Sequence, residues 1–241
     1  MIDKKMRNNL LLILGLLLIS SCSENTPTIV YDEDDKVNTS ETVKDTLKYQ
    51  IGDLPIKIDS LDYLIHPIGE IADSENNKKN TYSYGADNYT TFQLATERGD
   101  EIFGQMKNLL FENIKNGETT LLTDENIEIQ KVNYLRDVAE LSGKNHITYE
   151  VIDSDTNNDH TLDNNDILSL YLSNGDGVGF RKLTKKNSNL IDYKTIPELN
   201  RLYFKSVSDS NKNSVFDRED EVIYQFIILG INKIIDYNPS N

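Results

Sequence analysis

The chain has 241 residues, with 25 Lys and Arg against 40 Asp and Glu, a formal net charge of −15. A surface this acidic is repelled by nucleic acid and by anionic lipid headgroups, and it suits cations and basic partners. A single cysteine excludes an internal disulfide, and the length allows a single domain with a real core.

The N-terminus reads as a secretory signal. Lys4, Lys5 and Arg7 form a basic region, and Leu10 to Ile19 is an apolar run broken only by Gly15. That run is about half of the roughly 20 residues a membrane span needs. Ile19-Ser20-Ser21-Cys22 follows. It resembles a bacterial lipobox, which implies cleavage after residue 21 and lipid attachment at Cys22. The several acyl chains of such an anchor hold firmly, whereas one chain holds weakly. Ser23, where an inner-membrane retention signal would carry Asp, implies by the same resemblance the outer membrane, with its periplasmic or surface face left open. Removal of residues 1–21 takes away Asp3, Lys4, Lys5 and Arg7, leaving 22 basic and 39 acidic side chains, a net of −17.

Residues 22–55 are expected to be the lipidated cysteine and a disordered tether. Between 23 and about 50 apolar residues are sparse and without period, and Asp32, Glu33, Asp34 and Asp35 form an acidic cluster. Residues 56–241 are expected to form a β domain. Thirteen tyrosines, many in short apolar runs, fit strands. Alternation marks strands at 147–152, 168–173, 202–207 and 222–227, with turn signals at Asn116-Gly117 and Asn174-Gly175-Asp176-Gly177. One stretch is ambiguous. Ile102, Phe103, Met106, Leu109 and Leu110 stand at helical spacing, and Gly104 argues against a helix.

A strand–turn–strand description repeats along the chain. Leu109-Leu110-Phe111, Asn116-Gly117 and Leu121-Leu122-Thr123 give one copy. Leu170-Tyr171-Leu172, Asn174-Gly175 and Leu183-Thr184 give a second, and Ile223 to Phe226, Gly230 and Ile234-Ile235 begin a third. Units of four strands in about 55–60 residues are blade-like, and a closed propeller needs at least four blades. The expected fold is therefore all-β, with antiparallel propeller-blade-like sheets in an open or partial arrangement. A β-sandwich is the alternative.

The sharpest signal is a pair of acidic segments, Asp155 to Asp166 and Asp209 to Asp220, which align without gaps 54 residues apart. Oxygen-bearing side chains fall at positions 1, 3, 5, 9 and 12. In the first segment these are Asp155, Asn157, Asp159, Asp163 and Asp166, and in the second Asp209, Asn211, Asn213, Asp217 and Asp220. Calcium takes six to eight oxygens, and a 12-residue turn with this spacing supplies them. Position 7, Thr161 or Val215, contributes only its backbone carbonyl. The apolar position 8, Leu162 or Phe216, is expected to point inward. The pattern resembles the calcium loop of EF-hand proteins, most closely the dockerin type that ends in Asp. It departs at position 6, where His160 and Ser214 replace the usual Gly, and Asp at position 12 is shorter than Glu. Four carboxylates against three predict tighter binding in the first loop. The alternative is a pair of Asn/Asp-rich turns without metal. Alternating runs follow both loops, so structural calcium in a hairpin is expected and a helix-opening sensor is not.

With His66-Pro67-Ile68-Gly69 and the hairpin from Leu170 to Gly177 followed by Leu183-Thr184, the chain resembles uncharacterised lipoproteins of Bacteroidota. Its hairpins are similar to blades of the TolB-type propeller. The resemblance spans about residues 60–230 and implies architecture, not an activity. His66, His146 and His160 stand in no nucleophile or zinc motif, and no catalytic residue is assigned. The expected function is an outer-membrane-anchored lipoprotein with a calcium-stabilised β domain that binds or scaffolds an envelope protein or glycan. A periplasmic accessory protein that docks another envelope protein is an alternative, and a carbohydrate-active enzyme a remoter one.

Overall fold

The computed structural model describes residues 26–31, 48–72 and 94–239. The signal segment, Cys22 and the acidic cluster at 32–35 lie outside these residues. Among the described residues, no helix is long and apolar enough to cross a membrane.

The fold is all-β, and the described residues form three antiparallel sheets, none closed into a barrel. The first sheet has the order β1-β2-β5-β6, from β1 (Lys48–Gly52), β2 (Tyr63–Ala72), β5 (Asn108–Asn113) and β6 (Thr119–Leu121). The second has the order β10-β9-β8-β7-β4-β3, from β3 (Ala95–Arg98), β4 (Glu101–Met106), β7 (Glu128–Tyr134), β8 (His146–Ile152), β9 (Leu168–Asn174) and β10 (Arg181–Lys182). The third is a meander of β11 (Ser188–Ile196), β12 (Arg201–Ser208), β13 (Glu221–Ile228) and β14 (Lys233–Asp236). The four strands expected from alternation all form, as β8, β9, β12 and β13.

The sheets stack in layers with the second in the middle. Ile65, Leu109 and Phe111 of the first sheet share one buried cluster with Ile102, Ile129, Val132, Ile147, Tyr149 and Tyr171 of the second. Leu170 and Leu172, on the other face of β9, share a second cluster with Leu202, Phe204 and Ile227 of the third. Alternation explains the split, because successive side chains on a strand point to opposite faces. Gly177 sits at φ +81°, and a Cβ there would meet the Phe111 ring at 2.7 Å. The β9–β10 turn therefore closes directly over the first sheet.

The ambiguous stretch around Ile102 is strand throughout, as β4 and β5. Gly104 has a packing reason: a Cβ would meet the Leu94 carbonyl oxygen at 2.2 Å, so only glycine lets β3 pair with β4. One element had no sequence signal. Helix α1 (Arg136–Ser142) ends at Gly143 in the left-handed region and buries only Val138. The region read as tether is partly built into the fold. Residues 48–52 form β1, paired to β2 from Lys48↔Ala72 to Gly52↔Ile68, and residues 26–31 lie against the domain, as described below.

The repeat also has a structural form. β7 to β10 and β11 to β14 are both four-strand meanders. Each carries its long acidic loop between its second and third strands, β8–β9 and β12–β13. This matched placement puts the two loops side by side at one end of neighbouring layers.

Candidate metal centre

Both loops leave an antiparallel pair and return to it. Ile152 pairs with Leu168 at the mouth of the first loop, and Ser208 with Glu221 at the second. Within each, the side-chain oxygens accept hydrogen bonds from the loop's own backbone in one shared pattern. At position 1, Asp155 accepts from the amides of Asp159 (3.2 Å) and His160 (2.8 Å). Its counterpart Asp209 accepts from Asn213 (3.1 Å) and Ser214 (2.8 Å). At position 3, Asn157 Oδ1 accepts from Asp159 N and Asn211 Oδ1 from Asn213 N, both at 2.9 Å. At position 5, Asp159 accepts from Thr161 N (2.9 Å) and Asn213 from Val215 N (2.8 Å). At position 9, Asp163 and Asp217 accept from the amides of Asn165 and Glu219, both at 2.8 Å.

Position 12 closes each loop. Asp166 Oδ1 accepts from Thr156 N (2.6 Å), Thr156 Oγ1 (3.1 Å) and Asn157 N (3.3 Å), and Oδ2 from Asp163 N (3.1 Å). Asp220 Oδ1 accepts from Ser210 N (2.9 Å) and Ser210 Oγ (3.4 Å), and Oδ2 from Asp217 N (3.0 Å). A carboxylate has about four acceptor sites. Oδ1 of Asp166 is filled by donors and Oδ2 keeps a free lone pair, so one oxygen per closing aspartate is open to a cation.

The backbone has the turn that the spacing demands. Positions 4 and 6 are in the left-handed region in both loops: Asn158 at φ 60° and His160 at 68°, Lys212 at 59° and Ser214 at 68°. The sharp turn at position 6 therefore forms without glycine, at a cost of about 1–2 kcal/mol for a non-glycine residue. Leu162 and Phe216 at position 8 are half-buried, so they tie the loops to the domain less deeply than expected. Ile167, directly after the first loop, is the fully buried residue there, 2 % exposed.

Charge separates these loops from ordinary turns. Asp166, Asp209 and Asp220 are buried, at 1 %, 5 % and 9 % exposure. Among the described residues, no Lys or Arg forms an ion pair with any acidic side chain of the two ligand sets, and His160 Nδ1 lies 3.9 Å from Asp155. Buried carboxylates are ordinarily paired or metal-bound. Hydrogen bonds favour the ionised form of one of them, Asp220, and of the exposed Asp159. The Thr161 hydroxyl and amide pull the Asp159 carboxyl below its ordinary range, and the Asp217 amide does the same for Asp220. Among the described residues, no group of three or more His, Cys, Asp or Glu side chains is arranged to hold a metal ion. Asn157 Nδ2 bonds Asp159 Oδ2 (3.0 Å), and Asn213 Nδ2 bonds Asp217 Oδ2 (3.3 Å). These contacts draw ligand positions together within each loop.

Two functional residues went unread in the sequence. Thr156 and Ser210, both at position 2, turn their hydroxyls to the closing aspartate, and Thr156 shares its single proton between Asp166 Oδ1 and the Thr28 carbonyl. They also accept from the amide after that aspartate, from Ile167 (3.2 Å) and Glu221 (3.3 Å). The signal was present: both loops carry a hydroxyl residue at this position.

The other polar cluster of the core region is closed on itself. Lys131 Nζ lies 2.6 Å from Glu101 and 3.9 Å from Glu150, in a cleft beside Tyr193. Burial pushes the Glu150 carboxyl and the Tyr193 phenol up. His66 pairs with Glu112 at 2.8 Å, and burial pushes the His146 imidazolium down.

Comparison with known protein families, with curated proteins and with solved structures returns no match. The reading of this site rests on its own residues.

Proposed function

We propose that this chain is a lipid-anchored protein of the bacterial envelope whose β domain is stabilised by two structural calcium ions and acts as a binding or scaffold component. The anchor reading comes from Ile19-Ser20-Ser21-Cys22 behind a basic and apolar leader, and its outer-membrane placement from Ser23. The calcium reading is carried by one observation. Two hairpin loops 54 residues apart hold the same five oxygen positions on the same backbone turn, with buried carboxylates and, among the described residues, no Lys or Arg ion-paired to them. In each loop the ion would take the side chains at positions 1, 3, 5, 9 and 12 and the carbonyl of Thr161 or Val215. It would supply the missing positive charge and staple the hairpin. Nothing in this role needs a moving helix, because both flanks are strands of a packed sheet.

The test is the thermal melt of residues 23–241, which hold every described residue, in EDTA and in about 2 mM calcium. Binding to the folded state alone adds RT ln(1 + [L]/Kd), about 1.8 kcal/mol per site at a Kd of about 10⁻⁴ M. In a domain of this size that is roughly 4–7 °C per site. An upward shift supports the reading, and identical melts with and without calcium would reject it.

A further inference from the structure

The segment Thr26–Tyr31 follows the proposed lipidated cysteine and lies across both loops at once. Thr28 N donates to the carbonyl of Asn165 (3.0 Å) and Val30 N to that of Thr156 (2.7 Å). Thr156 Oγ1 returns a hydrogen bond to Thr28 O (2.8 Å). On the second loop, Thr28 forms an antiparallel bridge with Val215, and Tyr31 Oη donates to the carbonyl of Asp209 (3.3 Å). Ile29 between them is 4 % exposed. In loop terms these partners are positions 2 and 11 of the first loop and positions 1 and 7 of the second. Among the described residues, every hydrogen-bond and bridge partner of this strap belongs to one loop or the other.

We propose that calcium in the two loops locks the strap Thr26–Tyr31 across them, and that calcium withdrawal releases it, so that calcium sets how near Cys22 the domain is held. This rests on the calcium reading above. The strap's partners are the frame that the ion would fix: the Val215 residue offers its carbonyl to the ion, Asp209 begins its loop, and Thr156 holds the closing Asp166. Without the ion, the carboxylates gathered in each loop repel one another and the frame loosens. A six-residue segment held by a few hydrogen bonds, outside any sheet, opens more readily than the core.

The consequence is geometric. With the strap docked, Thr26 stands four positions after Cys22, a reach of at most about 14 Å. With it released, the next described residue is Lys48, 26 positions after Cys22, and the upper limit set by chain length rises to about 90 Å. Low calcium lets the domain range far from the membrane, and high calcium draws it in.

The experiment is amide hydrogen exchange on residues 23–241 in EDTA and in about 2 mM calcium, beside a direct calcium titration. The expected result is that the Thr28 and Val30 amides exchange about a hundredfold or more faster in EDTA, while amides of β8 and β12 stay protected. A second variant covers general loosening in EDTA. Val30→Pro removes the donor to Thr156 and touches no calcium ligand. Because coupling is reciprocal, it should weaken calcium binding at least about fivefold. If calcium binds but strap exchange is unchanged, or Val30→Pro binds calcium as tightly as the parent, the strap inference fails and the calcium reading stands. If the titration finds no calcium, both fall.

Discussion

The two acidic loops are one backbone design carried out with different chemistry. Both put positions 4 and 6 in the left-handed region and close through an aspartate that caps the amides of positions 2 and 9. The first offers carboxylates at positions 1, 5, 9 and 12 and receives both backbone donors of the strap. The second replaces position 5 by Asn213 and buries its opening aspartate, Asp209, where the first leaves Asp155 half-buried. The difference teaches that the turn is set by backbone amides finding oxygen acceptors, for which an amide side chain serves as well as a carboxylate. On the proposed calcium reading, charge would then decide how tightly the ion is held.

The largest expected effect comes from the closing residues. Asp166→Ala should lower the stability of the calcium-loaded chain by about 3 kcal/mol, from the lost site and from the orphaned Thr156 and Asp163 amides. Asp220→Ala should cost about 1 kcal/mol less, since fewer donors converge on it. Chemical denaturation in calcium reads both, and equal losses would break the comparison. Next come the opening residues. Calcium titrations of Asp155→Ala and Asp209→Ala should each lose one site. The site left in Asp209→Ala should be the tighter by about tenfold, because it has one more carboxylate.

The hydroxyls at position 2 are the third step. Thr156→Val should cost about 1–1.5 kcal/mol and Ser210→Ala about 0.5–1 kcal/mol, since only Thr156 also bonds the strap. Smaller still is relief at position 6. His160→Gly and Ser214→Gly should each stabilise by about 0.5–1 kcal/mol, the strain removed less the entropy that glycine adds to the unfolded chain. A loss in either would mean that its side chain makes a contact worth more than the strain. The pH profile gives the last contrast. The Asp159 carboxyl titrates below its unfolded value, so its contribution is present above about pH 3.9 and fades as pH falls through the lower folded value. Asp159→Asn should flatten that acid limb in the first loop, and the second loop, with Asn213 in place, should lack this component.

Much of this was legible in the sequence because the signals were local. Ile147-Thr148-Tyr149-Glu150-Val151 alternates because one face of β8 meets the first sheet, and the repeated Asp/Asn spacing marked both loops as matched turns between strands. The strap did not. Its partners lie 128 and 178 residues further on, at Thr156 and Asp209, and Thr-Pro-Thr-Ile-Val-Tyr has no period that reveals them. Helix α1 is seven residues long with one buried side chain, too little for a 3.6-residue pattern to emerge. The role of Thr156 and Ser210 depends on an aspartate returning from ten residues away, which composition cannot show. Gly104 was read as a helix breaker, while its function is to admit the Leu94 carbonyl.

The most direct test of the central claim is a count of bound calcium by equilibrium dialysis on residues 23–241 at about 2 mM free calcium. The account predicts two ions per chain, one in each of Asp155→Ala and Asp209→Ala, and none when both are changed. A parent chain that binds no calcium, or single variants that still bind two ions, would contradict it.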